Sequence, residues 1–414
     1  MISKTALKRM VETRTPMGAA TDLRHALGLC DAKGQKYQDA YGRPIVKEAA
    51  IRPDEFSIRA MFESFLGEQA LENGLNGRPL FETAGVGAVQ PSQFVNVSAF
   101  TLAVGGLFEF KILEAFNSPE FIGDRLGSIE PTSVMGGTKD IGVANFGDLA
   151  KQRKPGDPVS MFGLEERWIE TPETVEYSGG IEVTFEAAAS DITSQLLTRA
   201  SSVGKAIALR KEYRQIDNLL GITNTYKYKG TSYNTYQAST PYINTFANTL
   251  NDWNDINDIL VAFTMMRDAE TNQPIMVTPT DMLVMPKKLL TARKIFRDTV
   301  TQIRTNSEGN VTVGANPVFG VFDPVMSPLV YKRVTDSDGL NQTSGTAAAD
   351  DMYFVGDFKK AFGYRQFHPL QVQSAVPSTF DMLSRRIVSA FFAYERGTPF
   401  VREPRYVIKC TTGG

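Results

Sequence analysis

The sequence is poor in the residues on which small secreted domains and metalloenzymes rely. Its 414 residues contain two cysteines, two histidines and two tryptophans. Cys30 and Cys410 stand at opposite ends of the chain, so no disulfide framework is expected and a reducing compartment suits the composition. His25 and Cys30 come nearest to a ligand pair, yet no second pair completes a tetrahedral metal set. Long apolar runs are missing as well. Nothing approaches the roughly 18 residues that span a bilayer, and the SAFFAY run at 389–394 is far too short. The N-terminal MISKTALKRM is basic but has no apolar segment behind it, so a soluble protein without a secretory leader is expected. Neither sign of charge dominates: 44 Lys+Arg stand against 46 Asp+Glu, a net charge of −2. No global field recruits nucleic acid, which leaves only a local basic face for that role.

Signatures of catalysis are equally scarce. There is no G-x-S-x-G elbow and no phosphate-cradling G-x-x-x-x-G-K-[ST]. Gly85-Val86-Gly87 begins a dinucleotide fingerprint, but Gln90 takes the third glycine position and Pro91 is expected to block a helix start. Asp252-Asn254-Ile256 and Asp336-Asp338-Leu340 each put an apolar residue where a third calcium ligand belongs, and read instead as a helix cap and a turn. No catalytic residue, metal or cofactor is expected.

What the chain does have is hydrophobic content of 42%, enough for one large core or two to three smaller ones. Its clearest pattern runs from Thr174 to Leu220. Ile181, Val183 and Phe185 alternate with Glu182, Thr184 and Glu186, the period of a half-buried strand. After Ser190-Asp191 the period becomes helical through Ile192, Leu196, Ala200, Val203, Ile207, Ile216 and Leu219, which predicts a helix over 191–219, roughly 40 Å long. Its basic residues Arg199, Lys205, Arg210, Lys211 and Arg214 read either as a solvated face paired with Asp191 and Glu212 or as a sequence-independent contact with nucleic acid. Upstream, residues 1–55 are polar and turn-rich, a helix follows Pro53, and 84–92 form a connector. Residues 143–173 read as a hairpin-like excursion whose tip, KQRKPGDP at 151–158, carries Lys151, Arg153, Lys154 and Asp157. Two such arms alone are unstable in water, so they must lie against something. Downstream come a helix from Trp253, short strands at 275–277 and 282–285, a helix opened by Pro286, and strands at 353–358, 361–364, 386–394 and 406–410.

This order of strand, long helix, small α/β section and returning strands resembles the tailed-bacteriophage major capsid proteins, whose fold encapsulins share. The likeness is carried by AFNSPEFIGDRLG (115–127), the excursion at 143–173, KEYRQIDNLLG (211–221), YFVGDFKKAFGY (353–364) and VREPRYVIK (401–409). It implies an α+β capsid fold with an N-terminal arm over 1–110, the start of a peripheral domain over 111–142, and an extended loop over 143–173. A peripheral domain with its spine helix would follow over 174–250, an axial domain over 251–349, and peripheral return strands over 350–414. The implied function is a structural head protein whose pentamers and hexamers close an icosahedral shell around double-stranded DNA in the host cytoplasm, residues 1–110 staying in that shell. Its partners would be copies of itself, the packaged DNA through Arg199, Lys205, Arg210, Lys211 and Arg214, and portal, scaffolding or decoration proteins, with no membrane. Some relatives weld loop to neighbour by a lysine–asparagine bond. Lys151 and Lys154 could donate here, but no asparagine occurs over 350–414, so no such weld is expected. The alternatives are an encapsulin-type compartment and a cytoplasmic α+β enzyme.

Overall fold

The computed structural model describes residues 15–40, 42–47, 58, 59, 61, 65, 91–141, 153, 155, 168–190, 195–239, 242–268, 273–304, 311–375, 385 and 387–412. The fold is α+β, and it divides into two units. The first gathers residues 1–119, 175–211 and 368–397; the second gathers 120–174, 212–367 and 398–414.

The first unit is organised around a helix. Helix α1 (Pro16–Ala26) starts at Thr15, whose side chain accepts the Gly18 N–H, with Pro16 in the first turn. Helix α2 (Pro91–Phe116) is 26 residues long. Pro91 opens it rather than blocking it: a first-turn residue has no intrahelical N–H bond to lose, and the fixed proline φ suits the helix. From Ala99 to Phe116 it is buried on nearly every side, as a helix apolar all round must be. Two adjacent glycines admit its neighbours. A Cβ on Gly106 would fall 2.8 Å from the Arg24 side chain, and one on Gly105 would lie 3.3 Å from the Phe391 ring. Phe391 also stacks on Phe108, with ring centroids 4.5 Å apart. Glu109, 4% exposed, accepts from Arg24 at 2.6 Å and Lys36 at 2.5 Å. Arg24 and Lys36 thus hold the segment around α1 on α2, most of which belongs to the same 1–110 stretch.

The strand-to-helix transition read from the sequence is present, shifted by a few residues. Among the first strands of the chain, β1 (Ser128–Pro131), β2 (Lys139–Ile141), β3 (Trp168–Glu170) and β4 (Val175–Thr184), the last is the one whose alternation was legible. Phe185 does not continue it but begins a short helix, α4 (Phe185–Ser190), α3 being Gly123–Leu126. Helix α5 (Gln195–Leu220) follows, 26 residues and about 39 Å long. Two glycines set its approach to its neighbours. A Cβ on Gly179 of β4 would meet the Val203 side chain at 3.0 Å, and one on Gly204 would collide with the backbone of Ile112 in α2.

The second unit holds a five-stranded sheet in the order β11-β8-β12-β15-β7, made of β7 (Thr245–Ala247), β8 (Asp281–Val284), β11 (Pro324–Val325), β12 (Tyr353–Gly356) and β15 (Val407–Thr411). It spans the division expected at residue 350. Strand β12 is buried at all four positions, as the middle of a sheet covered on both faces should be. Helices α6 (Trp253–Thr264), α7 (Leu289–Arg297) and α8 (Pro328–Thr335) supply Ile256, Ile259, Phe263, Ala292, Phe296, Val330 and Val334 to the same core. The strand expected at 275–277 is absent; Ile275 only returns an N–H to the Met266 carbonyl, and Met276 is 81% exposed. Asp252 is a cap, as read: it accepts the Asn254 and Asp255 N–H groups in a reciprocal capping box. Asp336 likewise closes a turn by accepting the Gly339 N–H at its carbonyl. Cys410 lies on β15 opposite Tyr353, buried, and burial pushes its thiol up to about 12.

A buried ionic knot ties the last strand to this core. Arg405 donates to both oxygens of Glu403, at 2.7 and 2.8 Å, and to Asp268 at 3.3 Å. Burial alone would lower the Arg405 pKa, but the Glu403 carboxylate holds it above its ordinary value. Arg405→Met should therefore cost about 3–5 kcal/mol, because it strands two buried carboxylates. Chemical denaturation at neutral pH should show the deficit.

Candidate assembly site

Two features expected to serve assembly were the extended loop and the basic face of the long helix. The feet of the loop are β2 and β3, antiparallel with Ile141 opposite Trp168 and Lys139 opposite Glu170. Strand β3 pairs on its other side with β5 (Lys227–Tyr228), and β5 with β6 (Thr231–Ser232), so a second hairpin braces the base. The Lys139 ammonium sits 3.9 Å from the Trp168 ring centroid. Thr171 donates its N–H to the Thr138 carbonyl at 2.9 Å, and Thr174 bonds the Met135 carbonyl through both its N–H and its hydroxyl. A Cβ on Gly137 would lie 2.7 Å from the Thr171 carbonyl oxygen, so only glycine lets the two feet approach this closely. Strand β13 (Phe362–Ala375) contributes Arg365, 4% exposed, which donates to the hydroxyls of Thr171 and Thr132. Among the described residues the hydrogen-bond partners of its side chain are hydroxyls alone. Of the four tip residues named from the sequence, Arg153 is exposed outside any helix or strand. Lys151, Lys154 and Asp157 lie outside the described residues.

The five basic residues of α5 separate into two groups. Arg199, Lys205 and Arg210 are exposed, and Arg210 stands 5.7 Å from the Tyr177 ring centroid. Lys211 is not on that face. It is 5% exposed, pairs with buried Glu395 at 3.4 Å and lies 5.3 Å from the Phe116 ring. Arg214 is half-buried and donates to the Thr398 hydroxyl at 3.0 Å. Glu212 is no surface partner for these cations either. Its buried carboxylate accepts the N–H groups of Ile122 and Gly123 at 2.9–3.1 Å. Those groups open α3, where orphan donors and the helix dipole favour a negative charge.

Arg365, Glu109 and Arg405 are polar residues that the sequence reading did not name, and Glu212 is one that it placed on the surface. Arg365, Glu109 and Glu212 act through partners tens of residues away or more, and nothing in the sequence marks Glu403 and Arg405 as buried. Among the described residues no group of three His, Cys, Asp or Glu side chains could hold a metal ion, and no helix is long and apolar enough to cross a membrane.

A family model described as phage capsid protein matches residues 168–410, more than half of the chain and both elements that carry the basic face and the loop's second foot. The chain belongs to the phage capsid protein family. As a member it is a structural protein of the virion shell that assembles with its own copies, not an enzyme. No curated protein matches it. Among solved structures, the capsid of cyanophage P-SCSP1u is similar at 14% identity and a TM-score of 0.42, over 69% of this chain and 86% of its own. A virus-like particle from Pyrococcus furiosus is similar at 9% identity and a TM-score of 0.39, over 73% and 98%. The capsid of a native GTA particle is similar at 12% identity and a TM-score of 0.40, over 72% and 91%. The family assignment rests on the sequence match alone.

Proposed function

We propose that this capsid protein forms pentamers and hexamers which close an icosahedral shell around double-stranded DNA in the host cytoplasm, with α5 facing the genome. The observation that carries the DNA contact is the composition of the exposed side of α5. Between Gln195 and Arg210 the helix contains Arg199, Lys205 and Arg210 and not one Asp or Glu. A one-sign face without aromatic platforms suits phosphate contact through counterion release and no reading of bases. Lys211 and Arg214, spent on Glu395 and Thr398, have no part in it. In this reading residues 143–173 reach a neighbouring copy and the shell is held by many individually replaceable contacts.

Imaging the purified chain by negative stain is the first test, and closed particles are the expected result. The second replaces Arg199, Lys205 and Arg210 together with alanine. These residues are exposed, so melting should change by less than about 0.5 kcal/mol in stability, while DNA content per particle falls. Unchanged DNA content would reject the genome-facing role.

A further inference from the structure

We propose that Arg365 is a positioning residue for the extended loop. By gripping threonine hydroxyls at the loop's base, its guanidinium sets the angle at which residues 143–173 leave the body. That angle in turn sets the diameter at which the shell closes. The proposal rests on the shell reading and names a joint which that reading requires, because one fold must serve both pentamers and hexamers. The first foot has slack. Gly136 is exposed, and no heavy atom lies within 4 Å of where its Cβ would be, so the backbone can turn there without collision. The feet are short, three residues each in β2 and β3, and their ladder alone gives the loop little direction.

Arg365 supplies that direction from β13. One nitrogen of its fork donates to the Thr171 hydroxyl just past the second foot, and the other donates to the Thr132 hydroxyl ahead of the first, at 2.7 Å. A single planar group thus ties the chain entering the loop to the chain leaving it. Buried arginines ordinarily pair with carboxylates, as Arg405 does with Glu403. No carboxylate lies within ion-pair distance of Arg365 among the described residues. Its acceptors are neutral, and the Thr138 hydroxyl, 3.0 Å from that of Thr171, is a further one beside them. A carboxylate would lock the fork in one geometry by a strong bidentate bond. Hydroxyls rotate, and exchanging one for another strands no buried anion. The joint can therefore be reset between pentamer and hexamer positions while it stays closed.

Thr132→Val and Thr171→Val, each in the full chain, test the joint by electron microscopy of the assembled particles. Each removes one neutral acceptor, so melting should fall by no more than about 6 °C. Mean particle diameter should shift, or its spread widen, by at least about 10%, since a changed angle changes how many copies close the shell. Thr171→Ser keeps the hydroxyl and should keep the parental diameter. Folded valine variants that close no particles, while Thr171→Ser closes them, would also support the positioning role. Parental diameters in both valine variants would overturn it. Failure of both to fold would overturn it too, by making the ties structural alone. A parent chain that closes no particles would overturn the shell reading and this inference together.

Discussion

A chain lacking residues 151–158 should melt within about 2 °C of the parent and yet form no closed particles. The first half of that expectation follows from where the loop is held. Its feet are fixed by the β2–β3 pairing, by the Thr138–Thr171 and Thr174–Met135 bonds, and by Arg365 bridging Thr132 and Thr171. None of these residues is removed. The second half follows from the shell reading, in which the tip finds its burial on another copy. A two-stranded arm has too little apolar surface to be stable alone, and its basic tip is the part that carries charge across the contact. Light scattering and electron microscopy of the deleted chain separate the two halves. Normal particles would remove the loop from the assembly mechanism, and an unfolded product would show that the feet do not suffice.

Gly204→Val should destabilise the subunit by about 3 kcal/mol or more, a fall of roughly 6–12 °C in melting temperature. Position 204 lies inside α5, where replacing glycine ordinarily gains helix propensity. Here that gain is outweighed by contact. The added Cβ would collide with the carbonyl oxygen of Ile112 and stand 3.0 Å from its Cα, and both are backbone atoms that no rotamer change can move. One helix must shift against the other, and Phe108, Ile112 and Leu113 lose packing with it. Ala206→Val, two residues on and exposed, is the control. It should stay within about 0.5 kcal/mol of the parent. Equal melting of the two variants would mean that the helices have room between them.

The long helix and its strand were legible because each buries one face, and burial on one face writes a period into the sequence. Ile181 and Val183 alternate with Glu182 and Thr184, while Leu196, Ala200 and Ile207 repeat at helical spacing and are all buried. The capping box at Asp252 was legible for a similar reason, since its partners are three residues apart. Helix α2 was not, because it is buried on nearly every side and so has no polar stripe to mark its period. Pro91, read as a barrier, marks its first turn. The basic residues of α5 were only partly legible. Lys211 and Glu212 look like surface charges from local spacing, yet Glu212 finds the Ile122 N–H 90 residues away. Arg365 left no signal at all: an arginine in a returning strand gives no hint that it fastens the base of a distant loop.

The two thiols bear on how these ideas can be tested. Cys30 and Cys410 are both free and each is at most 1% exposed. Burial raises the pKa of both, so at neutral pH neither offers the thiolate with which alkylating reagents react. The folded protein should therefore react only slowly with maleimide dyes and spin labels. A single cysteine introduced at exposed Ser178 or Gln195 can therefore carry a fluorophore with no prior removal of sulfur, and its colour can be followed as subunits meet.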